Sequence, residues 1–224
     1  QGSEFKVNTY AAGSQQNASV TALGNGGFVV SWVSNGQDGS GLGVYVQRYD
    51  ADGVSQGGEF RVNTYTAGDQ TDPSITALNT GGFVVTWESS GQDGSGYGIY
   101  AQRYNANGVP QGSEFRVNTY ATSTQSDPSI TALTNGGFVV TWMSNGQDGS
   151  GYGIYAQCYD ANGVLQGIEF KVNAYLTGTQ SDPSITALSD GGFVVSWESL
   201  SQDGSGNGIY AQRYDAEGRI AGTL

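Results

Sequence analysis

Histidine is absent from the 224 residues, and cysteine occurs once, as Cys158. The first absence removes the commonest general base and metal ligand, and the second excludes an intramolecular disulfide or a cysteine-built zinc site. Any metal would be a hard cation held by oxygen. Basic residues number 8 against 20 acidic ones, a net charge of −12. No lysine or arginine field is available to neutralise phosphate, so nucleic acid is excluded as an expected partner. No apolar run approaches the ~18 residues of a membrane span, so no membrane insertion is expected, and Gln1-Gly2-Ser3-Glu4 lacks the basic-then-apolar pattern of a signal peptide. A start without Met suggests an excised or processed chain. Proline is scarce at 4 residues while glycine reaches 37, a combination that marks ordered tight turns rather than low-complexity sequence. Aliphatic residues are few as well, and 14 Tyr and 4 Trp restore the apolar area that a core needs.

Phe5, Phe60, Phe115 and Phe170 recur at a constant interval of 55 residues, and Trp32, Trp87, Trp142 and Trp197 keep the same step. The chain is therefore four tandem copies of one unit, at about 4–58, 59–113, 114–168 and 169–224. In the third copy Glu114–Asn118 alternates as a half-buried strand does, and Ser129–Leu133 follows Asp127-Pro128. Asn135-Gly136-Gly137 turns into Phe138–Trp142, the strongest hairpin signal in the unit, and Gly153–Tyr159 ends at Asp160-Ala161-Asn162-Gly163. Four short strands per unit, repeated four times, predict an all-β fold: a four-bladed β-propeller treated as a single domain. The last copy is followed by no further Glu-Phe-x-Val-Asn segment, so residues 3–9 are expected to complete the last blade and close the ring, in a monomer; the alternative is a four-unit piece of a longer repeat array, whose exposed edges would be a liability. Ser-Ile-Thr-Ala-Leu is small enough for the innermost strand, which places Thr21, Thr76, Thr131 and Thr186 near the axis.

Four polar loops repeat most regularly. Gln37, Gln92, Gln147 and Gln202 each open a Gln-Asp-Gly-Ser-Gly run. Asp38 with Ser40, Asp93 with Ser95, Asp148 with Ser150 and Asp203 with Ser205 place oxygens at alternate positions between glycines, as short Ca²⁺ loops do. Each loop has only one carboxylate, and an Asx turn is the competing reading. Tyr97 and Tyr152 sit in two of these loops and offer flat, amphipathic rings to a sugar or protein surface, with the loop glutamines as hydrogen-bonding partners. Asp72, Asp127 and Asp182 precede prolines and read as loop caps, with Asn17 at the matching place of the first copy. Arg48, Arg103 and Arg213 suggest an ion pair with the repeated Glu, and Cys158 replaces the arginine in the third copy. With no histidine or other evident activating base beside it, Cys158 is not expected to be a nucleophile.

Glycoside hydrolysis needs two carboxylates in unlike environments, whereas one acid per blade gives equivalent sites. The repeat symmetry thus predicts that the chain is not an enzyme.

The segments GGFVVTWES, GQDGSGYGIYAQRY and EFRVNTY resemble tandem repeats of very large secreted bacterial proteins, often found beside hemolysin-type (RTX) calcium-binding regions; the layout also resembles integrin-like repeats and propeller lectins. The resemblance implies an extracellular or bacterial cell-surface location and, with Ca²⁺ as the one cofactor suggested, a non-enzymatic binding or adhesion module. A glycan or other cell-surface ligand is the expected partner, with a structural stalk or scaffold as the alternative.

Overall fold

The computed structural model describes residues 3–221. Each unit folds as its apolar pattern predicts. Blade 1 comprises β1 (Gln15–Ala22), β2 (Phe28–Asn35), β3 (Leu42–Tyr49) and β4 (Phe60–Arg61). Blade 2 comprises β5 (Gln70–Ala77), β6 (Phe83–Ser90), β7 (Tyr97–Tyr104) and β8 (Phe115–Arg116). Blade 3 comprises β9 (Gln125–Ala132), β10 (Phe138–Asn145), β11 (Tyr152–Tyr159) and β12 (Leu165–Lys171), and blade 4 comprises β13 (Gln180–Ala187), β14 (Phe193–Leu200) and β15 (Asn207–Tyr214). All pairing is antiparallel between successive strands, and the outermost strand of a blade comes from the opening segment of the next copy. The result is a four-bladed β-propeller.

The Gly-Gly hairpins need glycine for a steric reason. A Cβ on Gly27, Gly82, Gly137 or Gly192 would lie 2.1–2.3 Å from the carbonyl oxygen of the tyrosine that ends the third strand. No side chain fits there. That tyrosine then stacks on the phenylalanine opening the second strand, with centroids 4.9 Å apart for Phe28 and Tyr49 and 5.0 Å for Phe83 and Tyr104. The core lies between blades, in three clusters that join blades 1 and 2, 2 and 3, and 3 and 4. All four tryptophans are buried there or at the equivalent face of blade 1.

The inner strands are those predicted. β1 lies beside β5, β5 beside β9 and β9 beside β13. Thr21 Oγ1 accepts a hydrogen bond from the Ala77 amide at 3.3 Å, and Thr76 Oγ1 one from Ala132 at 3.2 Å, so these hydroxyls stitch neighbouring blades.

Two expectations are corrected. Arg48 donates to the Ala106 carbonyl at 2.7 Å and Arg103 to that of Asn162, each reaching the next blade, while Arg213 pairs with Asp190. The repeated glutamates instead accept from the loop glutamines. Second, residues 3–9 form no strand with β15, and the sheet of blade 4 has three strands. Phe5 packs on Tyr49 of blade 1, centroids 5.2 Å apart. β13 and β1 do not pack side by side as the other inner strands do, so the ring is open between blades 4 and 1.

Candidate functional site at the axial mouth

Each inner strand carries a bulge at the same place, seen as register shifts between Gln16 and Ser19, Thr71 and Ser74, and Ser181 and Ser184, and on the β10 side between Thr141 and Met143. The bulged residue is left-handed: φ is 54° at Asn17, 48° at Asp72, 53° at Asp127 and 52° at Asp182. Asn and Asp tolerate this region better than other non-glycine residues, and bulges re-aim side chains. Residues read from sequence as loop caps are thus strand residues turned towards the axis. They line one hollow of about 400 Å³ together with Pro73, Pro128 and Pro183.

The four corners are not equivalent. Asn17 Nδ2 donates to Asp72 Oδ1. Partial desolvation, followed by the charges of Asp72 and Asp182, raises the Asp127 carboxyl above its usual range. Behind Asp127 lies Glu88 on β6, 6% exposed, with Oε1 accepting the Asp127 amide at 2.7 Å and Oε2 accepting the Thr71 hydroxyl at 3.3 Å. Burial first, then the charges of Asp72 and Asp127, push Glu88 up to about 7. Its counterparts are Val33, Met143 and Glu198, and Glu198 instead accepts from Asn207 Nδ2 at 2.8 Å. Among the described residues, only the boundary of blades 2 and 3 combines a buried acid with two mouth aspartates.

The loop residues lie away from this hollow. Gln37, Gln92 and Gln147 donate through Nε2 to Glu59, Glu114 and Glu169 at 2.7, 2.6 and 2.6 Å. Asp38, Asp93, Asp148 and Asp203 accept through Oδ1 the amides of Ser40, Ser95, Ser150 and Ser205 at 3.1–3.2 Å, which is the Asx turn. The Oδ2 atoms of Asp38, Asp93 and Asp148, and Oε1 of all four loop glutamines including Gln202, are buried without a hydrogen-bond partner. Among the described residues no three carboxylate or thiol groups gather as a metal cluster. Tyr152 is half-buried against the core between blades 3 and 4. Tyr97 is half-buried as well; burial raises its hydroxyl pKa, and the charges of Asp69, Glu88 and Asp72 add to the shift. A larger hollow of about 650 Å³ at the rim of blades 1 and 2 includes Gln92 and Gln102, whose Nε2 atoms bond to Glu114 and to the Arg103 carbonyl, and Glu114, which also accepts the Thr64 amide. Cys158 is buried, and burial pushes its thiol up to about 12, consistent with an inert side chain.

Sequence reading missed Glu88 altogether. The available signal was the pair of acids, Glu88 and Glu198, at a strand position that holds Val33 and Met143 in the other two copies.

No protein-family model matches the chain, and no curated protein does. Solved structures do. The endo-arabinase of Bacteroides thetaiotaomicron superposes with a TM-score of 0.55 at 14% identity, covering 92% of this chain and 78% of that one. The Penicillium chrysogenum α-L-arabinanase complexed with arabinobiose gives 0.64 at 15% identity, covering 95% and 66%. The α-L-arabinofuranosidase of Lactobacillus brevis gives 0.53 at 9% identity, covering 92% and 74%. At these identities the likeness shows the fold. It also overturns the expected non-enzymatic adhesion or stalk module, which rested on repeated blades being a poor frame for catalysis: glycoside hydrolases are built on this frame, and the carboxylates at the mouth are unlike one another.

Proposed function

We propose that the chain is a glycan-cleaving enzyme whose reacting carboxylates are Asp127 and Asp72. The observation that supports it is the asymmetry at the mouth, where Asp72 accepts a hydrogen bond from Asn17 while partial desolvation and the neighbouring charges of Asp72 and Asp182 raise the Asp127 carboxyl. Two carboxyl groups in unlike environments within one hollow are what hydrolysis of a glycosidic bond requires. Asp127 donates a proton to the leaving glycosidic oxygen, and Asp72 serves the developing positive charge at the anomeric carbon or the attacking water. Glu88 is a positioning residue: its Oε1 accepts the Asp127 amide and so holds the bulge that carries the Asp127 side chain. The net charge of −12 favours a neutral glycan over a uronate polymer. The arabinan-type substrates named for the structural neighbours supply the first class to try, and the extracellular setting implied by the repeat resemblance fits a polymeric substrate.

Release of reducing ends from arabinan, xylan and aryl arabinosides tests the reading. Asp127→Asn and Asp72→Asn are expected to lose at least ~100-fold in kcat/KM, the range of general acid–base contributions. Asp182→Asn should lose far less. If the wild-type chain cleaves none of these glycans, or if both single variants match it, the reading is wrong.

A further inference from the structure

The geometry points to a docking slot between blades 4 and 1 that accepts one further unit of this same 55-residue repeat. Three inter-blade contacts define what such a face looks like when covered. On the leading side, Val44, Ile99 and Ile154 are 0% exposed, as are Val46, Ala101 and Ala156. The matching residues of blade 4, Ile209 and Ala211, are exposed, Ile209 at 75%. On the trailing side Ile75 and Ile130 are 6–7% exposed, and the matching Val20 of blade 1 is 63% exposed. Blade 4 lacks the aromatic face of a successor, and blade 1 lacks the aliphatic face of a predecessor. A single object carrying both faces in that order is another copy of the unit.

The residues before blade 1 are already arranged for that occupant. In the covered contacts, Asn63 Nδ2 bonds the Tyr65 carbonyl at 2.8 Å and Gln70 at 2.9 Å, and Thr64 N bonds Glu114 at 2.6 Å. Asn8 repeats this with Tyr10 at 2.7 Å and Gln15 at 3.1 Å, and Thr9 N with Glu59 at 2.6 Å. Tyr49 reaches the Val7 carbonyl at 3.4 Å, as Tyr104 reaches that of Val62 at 3.3 Å. Residues 5–10 therefore sit as the outermost strand of a preceding blade sits. What they lack is the bonding to that blade's own sheet. Val62 N donates to Val44 O at 2.8 Å, and Val44 N donates to Asn63 Oδ1 at 2.8 Å. Among the described residues Val7 N and Asn8 Oδ1 have no such partners, nor have the amide and carbonyl of Ile209. One added unit would satisfy both ends: its opening segment would cover β15, and residues 5–8 would cover its third strand.

The test is a chain in which a second copy of residues 114–168 follows residue 223, compared with the parent by hydrogen exchange, melting and light scattering. The five-unit chain is expected to be a monomer with a higher melting temperature, and its Val7 and Ile209 amides should exchange at least ~100-fold more slowly than in the parent. The readouts are independent of glycan cleavage, so the slot and the enzymatic reading fail separately. An unchanged melt with unprotected Val7 and Ile209 in the five-unit chain would overturn the inference. So would a monomeric parent in which both amides are already protected, since that ring closes with four blades. Head-to-tail association of the parent through the same two faces, abolished by the added unit, would support the slot.

Discussion

At the residue scale, Glu88 concentrates the unusual chemistry. Its carboxyl titrates near 7 in the fold and near 4.5 when unfolded, so the native state binds the extra proton between these values. The stabilisation is fully present below pH ~4.5 and is lost as pH rises through ~7. Glu88→Gln keeps an acceptor for the Asp127 amide and removes the titration. We expect it to match the wild type in acid and to exceed it above pH 7 by up to ~3 kcal/mol, at 1.4 kcal/mol per pKa unit. Denaturant melts at pH 4 and pH 8 measure this, and equal pH slopes for the two proteins would refute it. Cys158 marks the opposite case, a place where the repeat lost a tie. Arg48 and Arg103 each run across a turn glycine to a carbonyl of the next blade. Cys158→Arg should restore that reach towards residues 215–218, worth ~1 kcal/mol and hence ~2–4 °C in a melt.

At the element scale, the second glycine of each hairpin is sterically fixed. Gly82→Ala would bring a Cβ within 2.1 Å of the Tyr104 carbonyl, whereas Gly24→Ala meets nothing within 4 Å. The first should cost more than ~2 kcal/mol and the second less than ~0.5 kcal/mol in urea unfolding. The Gln-Asp-Gly-Ser-Gly loops remain open to a weak cation, because the buried Oδ2 of Asp38, Asp93 and Asp148 lacks a donor. A Ca²⁺-binding loop would raise the melting temperature with ion concentration, by up to ~2.7 kcal/mol of stability at a hundred times Kd. An unchanged midpoint with chelator and with added Ca²⁺ would leave these residues as turn formers. Strand order within each blade and the aromatic core were legible in the sequence, because the 55-residue repeat aligns Phe, Trp and Tyr at each strand. The axial mouth was legible only in part. An Asp-Pro pair reads locally as a cap, and nothing local shows that a bulge turns it inward or that the Asp127 amide lands on Glu88, 39 residues earlier.

At the scale of the whole molecule, the opening residues contribute to blade 1 rather than blade 4. Removing residues 1–9 strips Phe5 from Tyr49 and the Thr9 amide from Glu59. With Phe5 itself 53% exposed, the loss should be ~1–2 kcal/mol, seen as a lower melting temperature. An unchanged melt would mean these contacts add nothing. The ring closure predicted from sequence failed for a reason that no repeat pattern reveals. The phase of the units shows which segment covers which sheet, while the number of blades that fills a circle depends on the angle between them.

The sharing of strands between copies also governs how the molecule resists a pull on its two ends. Each outermost strand belongs to one sheet by hydrogen bonding and to the next copy by covalent chain, so tension along the polypeptide loads the seams between blades before their centres. Blade 4, with no strand over β15, is the expected first point of yield, followed by blades 3 and 2 in turn. Each extended 55-residue unit would lengthen the tether by roughly 180–200 Å. A sawtooth of such steps, its first peak lower than those that follow, is the mechanical signature of this seam arrangement.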